Sequence, residues 1–311
     1  MKRRIEKLVS KEDQTLIEVL FVEPENEVLG VLQLVHGMAE HKERYLPLME
    51  FCANAGYASV IHDHRGHGNS VESEEDLGYF KDDCACAIIK DTKQVNDFVK
   101  EVYPHQKIVL MGHSMGSLVV RNYMRQYDDS IQGLIVCGSP SNNPLLNIAL
   151  TLVKLLIKIK GERYRSKFVD HLAFGNYHKN FTETSRNAWI CGDNEVVEAY
   201  DKNPKCGFLF TLNGFLNLFL LMKKTYAKQG WQIRNRFAPI LFIAGEEDPC
   251  IVSVDKFKEA AHFMCELGYE KVESKLYAKA RHEILNEKCK NEVMHDVLQF
   301  MNKIMLTEKN D

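Results

Sequence analysis

A chain of 311 residues, 45% hydrophobic and 27% charged, has the balance of an average globular protein and is long enough for one large α/β core. Its formal net charge of -3 gives no general attraction to nucleic acid or to an acidic membrane, so neither is expected as a partner. The start, Met1-Lys2-Arg3-Arg4-Ile5-Glu6-Lys7, is basic but has no apolar stretch behind it, so no signal peptide is read and a cytoplasmic location is expected.

Strand-like runs open the chain near Ile5 to Val9 and Leu16 to Glu23. From there β-branched apolar runs alternate with helical patterns, the rhythm of parallel strands joined by crossovers. The runs are Val28 to Val35, Ala58 to Ile61, Ile108 to Met111, Gly133 to Cys137, Ile240 to Ala244 and Val272 to Tyr277. Helical patterns cover Arg44 to Ala55, Ala85 to Val102, Leu118 to Tyr127, Val254 to Leu267 and Glu292 to Leu306. The order predicts a mostly parallel eight-stranded sheet with helices on both faces. From Ser141 to Phe237 the rhythm stops and only helical and aromatic stretches remain. This predicts an inserted helical cap over 141–237, dividing a core made of 1–140 and 238–311.

Within the insertion, Asn147, Thr151, Lys154 and Lys158 recur at helical steps and mark one polar stripe on Leu145 to Lys160. The rest of the circumference is apolar, a face too wide for a simple surface helix, while the segment is too short and too charged to span a bilayer. It is expected to pack on the core and roof a site, with Leu152 and Leu156 toward substrate and peripheral contact with lipid as the sharper alternative. Phe208 to Met222 carries a similar apolar face, and Phe208 is a candidate for the pocket wall.

Nine cysteines scattered from Cys52 to Cys289 form no framework of close spacings and are read as reduced thiols. Cys84-Ala85-Cys86 has no second pair at zinc spacing, and the twelve histidines include no H-E-x-x-H, so no metal is expected.

Gly112-His113-Ser114-Met115-Gly116 lies between a strand run and a helix pattern. A serine at the tip of such a turn is held in a strained conformation, and only glycine fits two positions either side. The turn pushes the Ser114 hydroxyl out at the carboxyl edge of a sheet and puts the Met115 N–H at a helix N-terminus, where it can bind a developing oxyanion. A nucleophilic serine needs a base and a carboxylate to hold that base, in the chain order Ser, acid, His. The run Ile240 to Ala244 leads into Gly245-Glu246-Glu247-Asp248, where Asp248 is the first choice of acid and Glu246 or Glu247 the alternatives, since only position separates them. His282 follows the last strand run, whereas His262 and His295 fall inside helices. A second oxyanion donor is placed at Met38, where glycine in His36-Gly37 lets the strand end turn its next amide inward.

Taken together, His36-Gly37-Met38-Ala39-Glu40-His41 with Arg44-Tyr45, Asp63 to Ser70, Gly112 to Gly116, Gly245 to Asp248 and Arg281 to Glu287 resemble the monoacylglycerol lipase and lysophospholipase branch of the α/β-hydrolases, often labelled serine aminopeptidase-like. The likeness covers essentially the whole chain and reaches into the insertion at Ala188 to Asp193 and Pro204 to Phe208. It implies the α/β-hydrolase fold, Ser114, Asp248 and His282 as a triad, Met38 and Met115 as oxyanion donors, and Asp63 to Ser70 as a structural turn. Glu40 and Arg44 are candidates to meet a polar head group, although a salt bridge fixing their loop is the preferred reading. Two positions depart from the pattern: Ser117 stands where relatives often have a second glycine, and Lys279 replaces a small residue.

The sequence thus reads as a cofactor-free serine ester hydrolase whose partner is a small acyl ester, with a single-chain lipid, monoacylglycerol or lysophospholipid, implied by the resemblance. The alternatives are a short-chain carboxylesterase, an aminopeptidase using Asp193, Glu195 or Glu198 to hold an amino terminus, and a non-catalytic binding protein of hydrolase shape.

Overall fold

The computed structural model describes residues 1–305. The chain opens with β1 (Lys2–Val9) and β2 (Leu16–Glu23), an antiparallel pair, and continues with β3 (Val31–Val35), α1 (Leu46–Asn54), β4 (Ala58–His62), α2 (Ala87–Val102) and β5 (Ile108–His113). After β5 come α3 (Met115–Tyr127), β6 (Gly133–Cys137) and four helices, α4 (Leu146–Lys160), α5 (Lys167–Phe174), α6 (Asn194–Lys202) and α7 (Leu212–Thr225). The chain then returns to the sheet through β7 (Ile240–Gly245), α8 (Val254–Leu267), β8 (Val272–Tyr277) and α9 (Lys290–Met305). The predicted last helix ended at Leu306, which lies outside the described residues.

These strands form one eight-stranded sheet in the order β1-β2-β4-β3-β5-β6-β7-β8. β2 runs antiparallel to β4, and every pairing from β4 through β3 to β8 is parallel. The expected α/β-hydrolase architecture is therefore present, with helices on both faces. Alternation along the strands divides the core: Leu20, Leu34, Met111 and Ile243 join Met49 of α1 and Val297 of α9, while Phe21, Val35, Leu110 and Phe242 join Ile88 of α2, Leu118 of α3 and Phe257 of α8. Each such side chain, fully buried, contributes about 1.5–3 kcal/mol.

Among the described residues no strand lies between β6 and β7, as the broken rhythm suggested. α4 is less covered than its wide apolar face predicts: Leu146, Leu150 and Val153 are buried, but Ile148, Leu155 and Ile159 are exposed. Its principal helical partner is α7, and one main partner leaves part of so broad a face uncovered. α7 begins at Leu212, later than Phe208, because the Thr211 hydroxyl accepts from the Gly214 amide and caps the helix there. Among the described residues no helix is long and apolar enough to cross a membrane.

Candidate active site

β5 delivers Ser114 into a conformation that side chains avoid, φ 54° and ψ -118°. The turn is tied down by the Ser114 amide, which donates to the Cys137 carbonyl of β6 at 2.9 Å, and by the Ser117 hydroxyl, which donates to the Ser114 carbonyl at 2.5 Å. A side chain at Gly112 would put its Cβ 2.3 Å from the Gly116 carbonyl oxygen, and one at Gly116 would lie 2.1 Å from that of Val35. Glycine is required at both positions by backbone contact.

On the neighbouring strand ends, the buried Asp248 accepts from the Cys250 amide at 2.8 Å through Oδ1, and its Oδ2 lies 2.9 Å from His282 Nδ1. Glu246 and Glu247 are exposed, and it is Asp248 that the structure sets against the imidazole. The two loops meet closely: a Cβ on Gly245 would fall 2.1 Å from the carbonyl oxygens of Ala280 and Arg281. The helical segment between β6 and β7 joins them, since the His282 and Glu283 amides donate to the carbonyls of Trp189 and Ile190 at 3.5 and 2.7 Å, and the Trp189 ring lies 4.9 Å from that of His282.

Ser114, His282, Met38 and Met115 all line one cavity of about 380 Å³. The loop that carries Met38 approaches the serine so closely that a Cβ on Gly37 would sit 3.1 Å from Ser114 Cβ. Much of the wall is apolar and comes from the segment between β6 and β7, including Leu152, Phe174, Phe208, Leu218 and Phe219. Leu156 is partly buried and packs on the core beside this wall but does not line the cavity. Tyr177 and Trp189 also line it; the sequence offers Trp189 only within the similar segment Ala188 to Asp193 and Tyr177 not at all, because isolated aromatics outside a regular element carry no periodic signal.

Glu40 and Arg44 are committed to the protein itself. Glu40 Oε1 accepts from the Gly37 amide at 2.6 Å and from the Tyr45 hydroxyl at 3.0 Å, and Oε2 accepts from Arg44 at 2.7 Å. Arg44 makes two further bonds of 2.6 Å to the Glu283 carboxylate and does not line the main cavity. Burial disfavours the Glu40 carboxylate, but His113, Arg44 and the Gly37 amide outweigh that and hold its pKa below the usual range. Their arrangement is that of the loop-fixing salt bridge. Asp63 is equally committed: buried, it accepts from the Lys42 amide, the Lys42 ammonium and the Asn69 amide at 2.7 to 2.8 Å, and a Cβ on Gly68 would strike its carboxyl.

Asp193 caps α6 by accepting from the Glu195 amide, and none of Asp193, Glu195 and Glu198 lines the cavity. Asp248, Cys250 and His282 bring three potential metal-ligand atoms within 4.8 Å of one another. However, the imidazole Nδ1 already faces Asp248, and burial together with the Asp248 charge pushes the Cys250 thiol well above its ordinary pKa. A thiol held neutral in this way is neither a good ligand nor a competing nucleophile.

Known proteins share this framework. The chain is 24% identical over 281 residues to a monoacylglycerol lipase of Mycolicibacterium smegmatis, covering 89% of this chain and 90% of that protein. It is 25% identical to a probable lysophospholipase L2 of Haemophilus influenzae, with 90% and 86% covered. Among solved structures, a thermostable carboxyl esterase from Bacillus coagulans in complex with glycerol superimposes with a TM-score of 0.89 at 24% identity, covering 98% of this chain and 99% of that one. Residues 26–289 match the family described as serine aminopeptidase, S33, and with the sheet order and the serine turn already in place, the chain belongs to that family of α/β-hydrolases.

Proposed function

We propose that this chain is a serine hydrolase of single-chain lipid esters, monoacylglycerols or lysophospholipids, in which residues 141–237 act as the cap that selects the acyl chain. The observation that carries this reading is that Ser114 and the Asp248-paired His282 share a cavity whose wall is built largely from apolar side chains of the insertion. The names of the two curated relatives support the same substrate class.

In the proposed reaction His282 takes the proton of the Ser114 hydroxyl as its oxygen attacks the ester carbonyl carbon. Asp248 accepts from Nδ1 and so holds the imidazole with Nε2 free for that proton and stabilises the cation that forms. The amides of Met38 and Met115 receive the oxyanion. Collapse of the tetrahedral intermediate breaks the C–O bond of the leaving alcohol, which departs with the proton from His282. Water, deprotonated by the same histidine, then releases the fatty acid from Ser114.

The exposed Leu145, Ile148, Leu155 and Ile159 of the α4 segment, with Phe168 and Leu172 of α5, support contact of this face with the aggregates in which such substrates reside. Two groups of assays test the reading. Ser114→Ala and His282→Ala should each lower ester turnover by several powers of ten with the fold intact, and Asp248→Asn somewhat less. A near-normal Asp248→Asn beside an inactive Glu247→Gln would overturn the choice of acid. In a panel of acyl esters, monoacylglycerols, lysophospholipids and aminoacyl amides, a response that does not rise with chain length would replace the lipid reading by a short-chain carboxylesterase.

A further inference from the structure

His113, the residue before the proposed nucleophile, is buried, and both of its ring nitrogens face acceptors. Nδ1 lies 3.4 Å from Glu40 Oε1 and Nε2 lies 3.2 Å from the backbone carbonyl oxygen of His282. A carbonyl oxygen can only accept. Glu40 can only accept as well, because an amide, a hydroxyl and a guanidinium already donate to it and keep it ionised. A neutral imidazole has one N–H and would leave a lone pair aimed at one of these oxygens; only the doubly protonated ring satisfies both. We propose that His113 is a standing imidazolium and acts as a positioning residue, joining the loop that carries Met38 to the backbone of His282 around Ser114.

Charge balance points the same way. Arg44 bridges Glu40 and Glu283, so this buried group holds two carboxylates against one guanidinium, and a charged His113 makes it neutral. Burial alone would lower the His113 pKa, but the hydrogen bond and charge of Glu40, the charge of Glu283 and the His282 carbonyl outweigh it and raise it above its ordinary value. Tyr45 stands on the Glu40 side, its hydroxyl kept protonated because burial and the Glu40 charge raise its pKa, and the His282 ring lies 4.7 Å away with Asp248 beyond it. Cys137 of β6, next to the turn, is likewise held as a neutral thiol, chiefly by burial.

The mechanical consequence rests on the proposed hydrolase chemistry. Glu40 Oε1 binds the Gly37 amide and thereby sets the direction of the next peptide, the one proposed to receive the oxyanion. Loss of the His113 proton would leave a net negative buried group and release one of the two grips, so activity should fall as pH rises past the raised pKa.

The test has an arm that does not depend on catalysis. In the wild-type protein with 15N-labelled histidine, nuclear magnetic resonance at neutral pH should show both ring nitrogens of His113 protonated, with the signals identified by their loss in His113→Gln. Glu40→Gln should return the ring to a neutral tautomer. A nitrogen of His113 without a proton at neutral pH in the wild type overturns the proposal, whether or not any variant folds. In ester assays, His113→Gln should lower kcat about 100-fold with KM changed far less, the signature of misplaced groups rather than lost binding, and should abolish the alkaline fall in activity. Unchanged kcat and an unchanged pH profile in a folded His113→Gln would also overturn it. A wild type that hydrolyses no ester removes the proposed function but leaves the resonance experiment to decide the charge state.

Discussion

A methyl group on Gly116 would lie 2.1 Å from the Val35 carbonyl oxygen and 2.5 Å from that of His36, so the strand that supports the Met38 loop would have to move. Gly161, in contrast, has a positive φ of 84° but open space around it. Gly116→Ala is therefore expected to lower stability by about 1–3 kcal/mol and to reduce ester turnover, whereas Gly161→Ala, at a ψ of 157°, should cost about 1–3 kcal/mol from backbone strain and leave turnover intact. Thermal melts with parallel esterase assays distinguish the two, and equal activity losses would show that the turn tolerates the added carbon. At this scale position is legible in the sequence: Ser114, Asp248 and His282 are each expected after a strand end, and each lies after one. The local pair Glu40 and Arg44 is within reach of the sequence, but the sequence is silent on Glu283, which Arg44 meets across a separation of 239 residues with no local pattern linking them.

Elements follow the same division. All eight strands lie on the predicted runs, with β1 starting earlier, at Lys2 rather than Ile5, and β3 later, at Val31 rather than Val28. The signal is strongest for β3 to β7, which are buried along their whole length and so must be apolar almost throughout. Within the insertion α4 is legible from its period, but α5 and α6 are short and mixed in character, so their bounds are not. On α4 the structure separates two neighbours that the helical period places on one face: Leu152 lines the cavity and Leu156 does not. An acyl chain stabilises its complex by up to about 0.8 kcal/mol per buried CH₂. Leu152→Asn should then flatten the rise of kcat/KM with ester chain length while sparing acetyl esters, and Leu156→Asn should keep the rise. If both variants lose all esters alike, α4 is a buttress and not a wall.

For the molecule as a whole, four buried histidines, His36, His62, His64 and His67, set an acid limit. Burial lowers all four pKa values, to about 3 for His62 and about 4 for His67, whereas in the unfolded chain they titrate near ~6.5. The unfolded state thus binds more protons below ~6.5, and stability that is fully present above that pH falls as acid is added, by up to about 1.4 kcal/mol per pH unit for each group. Both ring nitrogens of His62 are buried without a hydrogen-bond partner, so His62→Phe should reduce this slope between pH 6.5 and 4 in urea unfolding. An unchanged slope would remove His62 from the account. The sheet order has a different consequence, in time. The proposed serine follows β5, its acid follows β7 and its base follows β8, the strand at the sheet edge and the last of these eight to be synthesised. A growing chain therefore carries the hydroxyl long before it has the imidazole, and α4 and α5, which would meet lipid on the proposed reading, are synthesised before the base is. On the proposed reading, the unfinished protein is inert toward the esters around it, and the onset of hydrolysis marks the moment the C-terminal strand has docked.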